Sequence, residues 1–183
     1  SNDTPTLVAR ASLSSAKGGA KAAGNESYSW IGGGLDTPIS TVDRFEYSND
    51  TGTTPTKGPL SLAKSYHAAA GNLNYGYQGG GYTPGGNKTS VDRIDYANDT
   101  PTASPKGPLS LQRSFLAATG NASYGYFAGG LPVNYTTVDR IDFSNDTATA
   151  AVKGPLSSPS SKFGGTSSTS HGYFGSSSGP KSK

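Results

Sequence analysis

Polar and apolar positions alternate along this chain in short runs, and no window places apolar residues at the three- and four-residue spacing of a capped helix. Residues 114–154 show the pattern best. "SFLAATGN" (114–121) closes on Gly-Asn, a turn signal, and "YGYFAGG" (124–130) closes on paired glycines. "TTVDRIDF" (136–143) and "TATAAVKG" (147–154) follow, joined through Ser-Asn-Asp, whose side chains suit a tight turn. The four runs predict four strands, here a to d, and an all-β chain.

The same order recurs. "SND" or "AND" begins at 1, 48, 97 and 144, with steps of 47, 49 and 47 residues. A period of 40–50 residues filled with strands is the mark of propeller blades. Read through, the chain gives strand d (about 4–9), three abcd sets (20–57, 65–106, 114–153) and a closing ab pair (163–175). This predicts one repeat domain over 1–175, with repeats near 1–47, 48–96, 97–143 and 144–175, and a flexible Ser/Gly/Lys tail at 176–183. About four blades of four-stranded antiparallel sheet are expected, one incomplete, as a β-propeller or propeller arc. An incomplete blade has bare strand edges, which predicts self-association into a homo-oligomer or larger assembly with other protein subunits.

The arrangement resembles the Kelch repeat, in which a second strand ends in a double glycine and a third in an aromatic. The matching residues are Gly33 and Gly34 with Tyr47, Gly79 and Gly80 with Tyr96, and Gly129 and Gly130 with Phe143. The Kelch Trp six positions later is replaced by Thr53, Thr102 and Thr149, which makes the repeat divergent. The "VDRIDY…SNDTATA…KGPLS" wording is also similar to repeat proteins of marine bacterial virus particles. That resemblance implies a virion component of tail, fibre or surface decoration, acting through protein contacts.

Composition narrows the classes. Fifteen Lys and Arg against twelve acids, without a block of like charges, argue against a nucleic-acid footprint or a membrane patch. Leu, Ile, Val and Phe make only about 15% of the residues, while eleven Tyr sit at repeated positions, so a folded chain with a thin core is expected. The absence of Cys excludes disulfides, thiol catalysis and the copper chemistry of galactose-oxidase-like Kelch enzymes. The absence of Met predicts a processed product, a piece of a longer chain or an incomplete reading.

Candidate residues follow from what repeats and what does not. Asp43–Arg44, Asp92–Arg93 and Asp139–Arg140 repeat, and a charge pair copied into every unit predicts a structural tie between blades rather than chemistry. The b–c loops vary, so Leu35, Asp36, Tyr82, Lys88, Leu131 and Tyr135 are the candidate binding residues on one rim. Trp30 is expected to fill core space at a position held by Gln78 and Phe127 in the other copies. His67 and His171 are the only imidazoles and are expected to be structural. Neither a metal nor a cofactor is expected, and the chain reads as non-enzymatic, in an extracellular or virion setting. The alternative is a secreted or cell-surface adhesion module that binds a surface glycan. Glycosylation would then fall on Asn2, Asn25, Asn49, Asn87, Asn98, Asn121, Asn134 and Asn145, which all fit N-x-S/T.

Overall fold

The short alternating runs form sixteen strands and no helix over the residues described by the computed structural model, 10–34, 36–168 and 170–175. Three four-stranded antiparallel sheets follow one another. The first holds β1 (Lys21–Gly24), β2 (Tyr28–Gly32), β3 (Val42–Glu46) and β4 (Thr56–Lys57). In the second are β5 (Ala68–Gly71), β6 (Tyr75–Gly79), β9 (Val91–Asp95) and β10 (Ser104–Lys106), with the small ribbon β7 (Tyr82–Thr83) and β8 (Gly86–Asn87) inserted in its loop. The third comprises β11 (Ala117–Gly120), β12 (Tyr124–Ala128), β13 (Val138–Asp142) and β14 (Ala151–Lys153). A last pair, β15 (Gly164–Ser167) and β16 (Gly172–Gly175), stands without further strands among the described residues. The strand expected at 4–9 and the tail at 176–183 lie outside the described residues.

Local chemistry sets each hairpin. Between the first two strands of each sheet, Asn25, Asn72 and Asn121 use the side-chain oxygen to accept two backbone N–H groups, those of Ser27 and Tyr28, Asn74 and Tyr75, and Ser123 and Tyr124. The second strand ends in two left-handed glycines. Their φ values repeat closely: 65° and 109° at Gly33 and Gly34, 68° and 107° at Gly80 and Gly81, 63° and 104° at Gly129 and Gly130. The double glycine of the second sheet is therefore Gly80–Gly81, one residue later than expected. Three consecutive glycines hide the phase in the sequence, and only the dihedral angles reveal it.

Strand register corrects a second expectation. Trp30 lies opposite Arg44, Tyr77 opposite Arg93 and Tyr126 opposite Arg140. The counterparts of Trp30 are thus Tyr77 and Tyr126, not Gln78 and Phe127. A one-residue slip along a strand exchanges its two faces, so the difference is a difference of face.

The core lies between sheets rather than within one. Trp30, Val42 and Leu60 from the first unit meet Ile94, Tyr96 and Ala103 from the second. Ala68, Ala70, Tyr77 and Val91 meet Phe127, Ile141 and Ala150 from the third, with Leu109 and Leu116 from the connection. Stacked rings mark both seams, Trp30 on Tyr96 at 3.9 Å and Tyr77 on Phe143 at 4.6 Å. The first strands lie side by side, β1 on β5, β5 on β11 and β11 on β15.

Close approach at two seams explains the glycine of the repeated Lys-Gly-Pro at 57–59 and 106–108. A Cβ on Gly58 would lie 1.8 Å from the Pro101 carbonyl oxygen, and one on Gly107 would lie 1.8 Å from that of Ala148. We expect Gly107→Val to lower the free energy of unfolding by roughly 2–4 kcal/mol, read as a fall in the urea midpoint with the slope unchanged. A midpoint equal to that of the parent protein would refute the packing described.

Candidate functional site

Neighbouring residues on a strand point to opposite faces, and the third strand uses this to send its Asp and Arg in opposite directions. The repeated Asp–Arg couples are therefore not ion pairs with each other. Each Asp turns inward to a cation on the connection that enters its own sheet. Asp43 faces Lys17 at 3.9 Å, Asp92 faces Lys64 at 2.9 Å, and Asp139 faces Arg113 at 2.6 Å, all with fully buried side chains. A serine three residues before each cation completes the carboxylate: Ser14 and Ser110 each donate through N–H and hydroxyl, and Ser61 through its hydroxyl. The cations also cap carbonyls, Lys64 that of Gln78 and Arg113 those of Gly129, Thr137 and Phe127. Burial draws the Lys64 ammonium and the Arg113 guanidinium below their usual ranges, with Asp92 and Asp139 opposing the shift.

Arg44 and Arg93 turn outward to the next sheet. Arg44 reaches Asp99 at 3.0 Å, where Lys57 (3.3 Å) and the Trp30 indole N–H (2.9 Å) converge on the same carboxylate. One unit later Arg93 (2.7 Å), Lys106 (3.3 Å) and the Tyr77 hydroxyl (3.0 Å) converge on Asp146. The receiving Asp belongs to the Asn-Asp turn between third and fourth strands of the following sheet. Backbone bonds reinforce the seat, from Gly58 N–H to the Asp99 carbonyl and from Gly107 N–H to that of Asp146, both 2.8 Å. Each Arg also lies over a Tyr of its own sheet, Arg44 on Tyr28, Arg93 on Tyr75 and Arg140 on Tyr124. The tie between sheets is thus made by the Arg, a Lys and an aromatic, and the Asp of the couple stays within its unit.

The first turn is received by a simpler seat. Residues 10–12 stand on it as 57–59 stand on the second: Arg10 lies 3.5 Å from Asp50, Ala11 N–H reaches the Asp50 carbonyl, and the Ser12 carbonyl accepts from Thr54. The third sheet repeats the donors in Tyr126, Arg140 and Lys153. Among the described residues no carboxylate stands on them. Where Gly58 and Gly107 meet backbone, a Cβ on Gly154 would meet nothing within 4 Å among the described residues.

The variable loops lie with the connections that enter each sheet. Ile39 bridges to Lys64, Tyr82 to Ser65 and Leu131 to Ser114. Asp36 is exposed and accepts the Tyr66 hydroxyl proton in a hydrogen bond, which holds that phenol above its usual pKa. Tyr82 is exposed; Lys88, Leu131 and Tyr135 are half-buried, and Lys88 donates to the Gly85 carbonyl of its own turn. Leu35 lies outside the described residues. Sequence reasoning missed a further cluster here. Tyr66 (φ 53°), Phe115 (φ 55°) and Lys162 (φ 56°) are left-handed, at the position where the first unit has Gly19 (φ 72°). Tyr66 stacks on Phe115 at 4.1 Å, and the Lys162 ammonium sits 5.0 Å over Phe115. Bonds between units, Phe115 N–H to the Tyr66 carbonyl and Lys162 N–H to that of Phe115, hold this conformation against its cost of about 1–3 kcal/mol each. With Lys21, Leu116 and Phe163 these residues line a cavity of about 350 Å³. The available signal was spacing alone: each stands two residues after the Lys17, Lys64, Arg113, Ser160 series.

The glycosylation candidates divide by local geometry. Asn49, Asn98, Asn134 and Asn145 are exposed. Asn25 and Asn121 have their amide oxygens engaged in the hairpin turns, and Asn87 donates to the Leu131 carbonyl. Asn2 lies outside the described residues. His171 is exposed, with Nδ1 2.8 Å from the Ser170 hydroxyl, whereas His67 is buried against Gly33 and Gly81. No group of three or more His, Asp or Glu converges among the described residues.

No family model matches the chain, and no curated protein matches it. Among solved structures it is similar to one titled "Structure of YjhT", with a TM-score of 0.67 and 12% identity over 84% of this chain. The chain spans about 60% of that structure's length. At that identity the likeness is one of fold.

Two outcomes follow. Asp139→Asn alone leaves Arg113 buried without its counter-charge and should cost about 3–5 kcal/mol, whereas Asp139→Leu with Arg113→Met should cost far less than the two single changes together. Additive losses in urea titration would contradict the pairing. Burial, with the Lys64 ammonium beside it, pushes His67 down to about 3, so the folded protein keeps it neutral. Its stabilising contribution is then complete above the unfolded value of about 6.5 and falls, as pH drops towards 3, by up to about 1.4 kcal/mol per pH unit. His67→Gln should flatten that part of the stability–pH curve, and an unchanged slope would show that His67 does not carry it.

Proposed function

We propose that this protein is a non-enzymatic structural module, a Kelch-like propeller or propeller arc that works by assembling with other protein subunits. The observation that carries the reading is the third seat, Tyr126, Arg140 and Lys153. It repeats the donors that bind Asp99 and Asp146 in the earlier units. A catalytic role finds little support in the buried carboxylates, because Asp43, Asp92, Asp139, Asp99 and Asp146 are all committed to cations. The wording of the repeat favours a bacterial virus particle, as tail, fibre or surface decoration, and an extracellular or virion location.

A second reading, an adhesion module for a surface glycan, is favoured by the cavity among Lys21, Tyr66, Phe115 and Lys162, on the side that carries the Asp36 loop.

Native mass spectrometry decides between isolated and assembled states. We expect a denatured mass of 18.6 kDa and a native species at a fixed multiple of it. A native mass equal to the denatured one across the micromolar range would overturn the assembly reading for copies of this chain.

A further inference from the structure

Positions that repeat in this chain serve the scaffold, so positions at which the units differ are free for another task. The cavity of about 350 Å³ gathers such positions from all four units: Lys21 from the first, Tyr66 from the second, Phe115 and Leu116 from the third, Lys162 and Phe163 from the last. Lys21 opens its first strand where Ala68, Ala117 and Gly164 open theirs. Two residues earlier stand Gly19, Tyr66, Phe115 and Lys162, and all four are left-handed. Gly19 shows that glycine, the residue this backbone favours, satisfies the scaffold there. Tyr66, Phe115 and Lys162 keep their side chains against that preference, and strain of this kind clusters at binding and catalytic sites. The chemistry they present is cationic. Phe115 lies between the Tyr66 ring, stacked at 4.1 Å, and the Lys162 ammonium, 5.0 Å from its centroid, so its faces are taken and its edge remains. An aromatic edge carries the positive part of the ring quadrupole. The ammonium groups of Lys21 and Lys162, both on exposed residues, add to it. Asp36 accepts from the Tyr66 hydroxyl without lining the cavity.

We propose that this cavity binds an acidic saccharide, with its carboxylate or sulfate on the ammonium groups of Lys21 and Lys162 and its ring against Leu116 and Phe163. Two cations and a ring edge in one place call for an anion. Lysine acts as a point charge rather than a two-pronged fork, so it accepts a carboxylate or a sulfate alike. The volume lies within the range of small-ligand sites. With both faces of Phe115 taken, a flat aromatic ligand finds no platform on it, whereas ring edges and the Leu116 side chain suit the C–H surface of a sugar. The proposal rests on the glycan reading and names the class of glycan.

The test titrates the full chain by calorimetry at low salt with a digalacturonate, a sulfated digalactose and the neutral digalactose. At least one acidic disaccharide should saturate the protein with a Kd below about 1 mM, and the neutral one should bind at least about tenfold more weakly. Whichever acid binds identifies the anionic group, and binding of both makes charge itself the recognised feature. Lys21→Glu and Lys162→Glu should each weaken that binding by about tenfold or more. Lys162→Gly separates recognition from packing. It should weaken binding by about tenfold while the thermal midpoint stays level or rises, because glycine relieves the left-handed backbone. Unchanged binding in the lysine variants overturns the proposal. The proposal and the glycan reading fail separately. A neutral disaccharide that binds as tightly as the acids overturns the proposal and leaves the glycan reading standing. Absence of saturable binding by all of these sugars overturns both.

Discussion

Everything in this structure depends on placing carboxylates where water is scarce. Asp43, Asp92 and Asp139 have no exposed surface, and a carboxylate in such a place is tolerated only when a cation and hydrogen-bond donors surround it. The chain meets that condition identically three times, with a Lys or Arg two residues before the left-handed position and a Ser three residues before the cation. The partners are fixed in space by the carboxylate, so the connection that enters each sheet is fixed too. The second glycine of each left-handed pair then bonds to the carbonyl of the next cation residue, or of Ser160 in the last case. One buried ion pair therefore positions both the sheet that holds it and the sheet before it.

The apolar part follows from that frame. With so few Leu, Ile, Val and Phe, no single sheet can bury a face of its own, and the ring stacks and alanines gain burial only when the next sheet arrives. Glycine and alanine at the seams allow backbones to approach, and aromatic rings fill the space between. The outward Arg, Lys and aromatic hold the far edge of each seam through the Asn-Asp turn. Inner and outer ties are thus made by adjacent residues of one strand, which explains why Asp and Arg stand together in every copy without touching each other.

Strain marks the side where the loops gather. Three side-chain-bearing residues adopt a left-handed backbone in the series Gly19, Tyr66, Phe115, Lys162, held by bonds from one unit to the next. In the ring and ammonium contacts there, each unit contributes a different residue. The cavity beside them therefore has no internal copy against which its purpose can be read.

The sequence by itself determined the strand order within the three four-stranded sheets and the positions of their hairpin turns, because strand alternation and Asn/Gly turn chemistry are local and a near-constant period repeats them; the ribbon β7–β8 it did not show. It also singled out the repeated Asp and Arg of the third strand. Tertiary structure alone decided their partners, since Lys64 lies 28 residues from Asp92 and Arg44 lies 55 from Asp99, separations at which no local rule operates. Only three dimensions settled the phase of the glycines at 79–81 and the match of Trp30 with Tyr77 and Tyr126, because a slip of one residue leaves composition unchanged and reverses the face. The left-handed ring of Tyr66, Phe115 and Lys162 was equally hidden. Its cause is a bond from one unit to the next, and such a bond exists only once the units stand side by side.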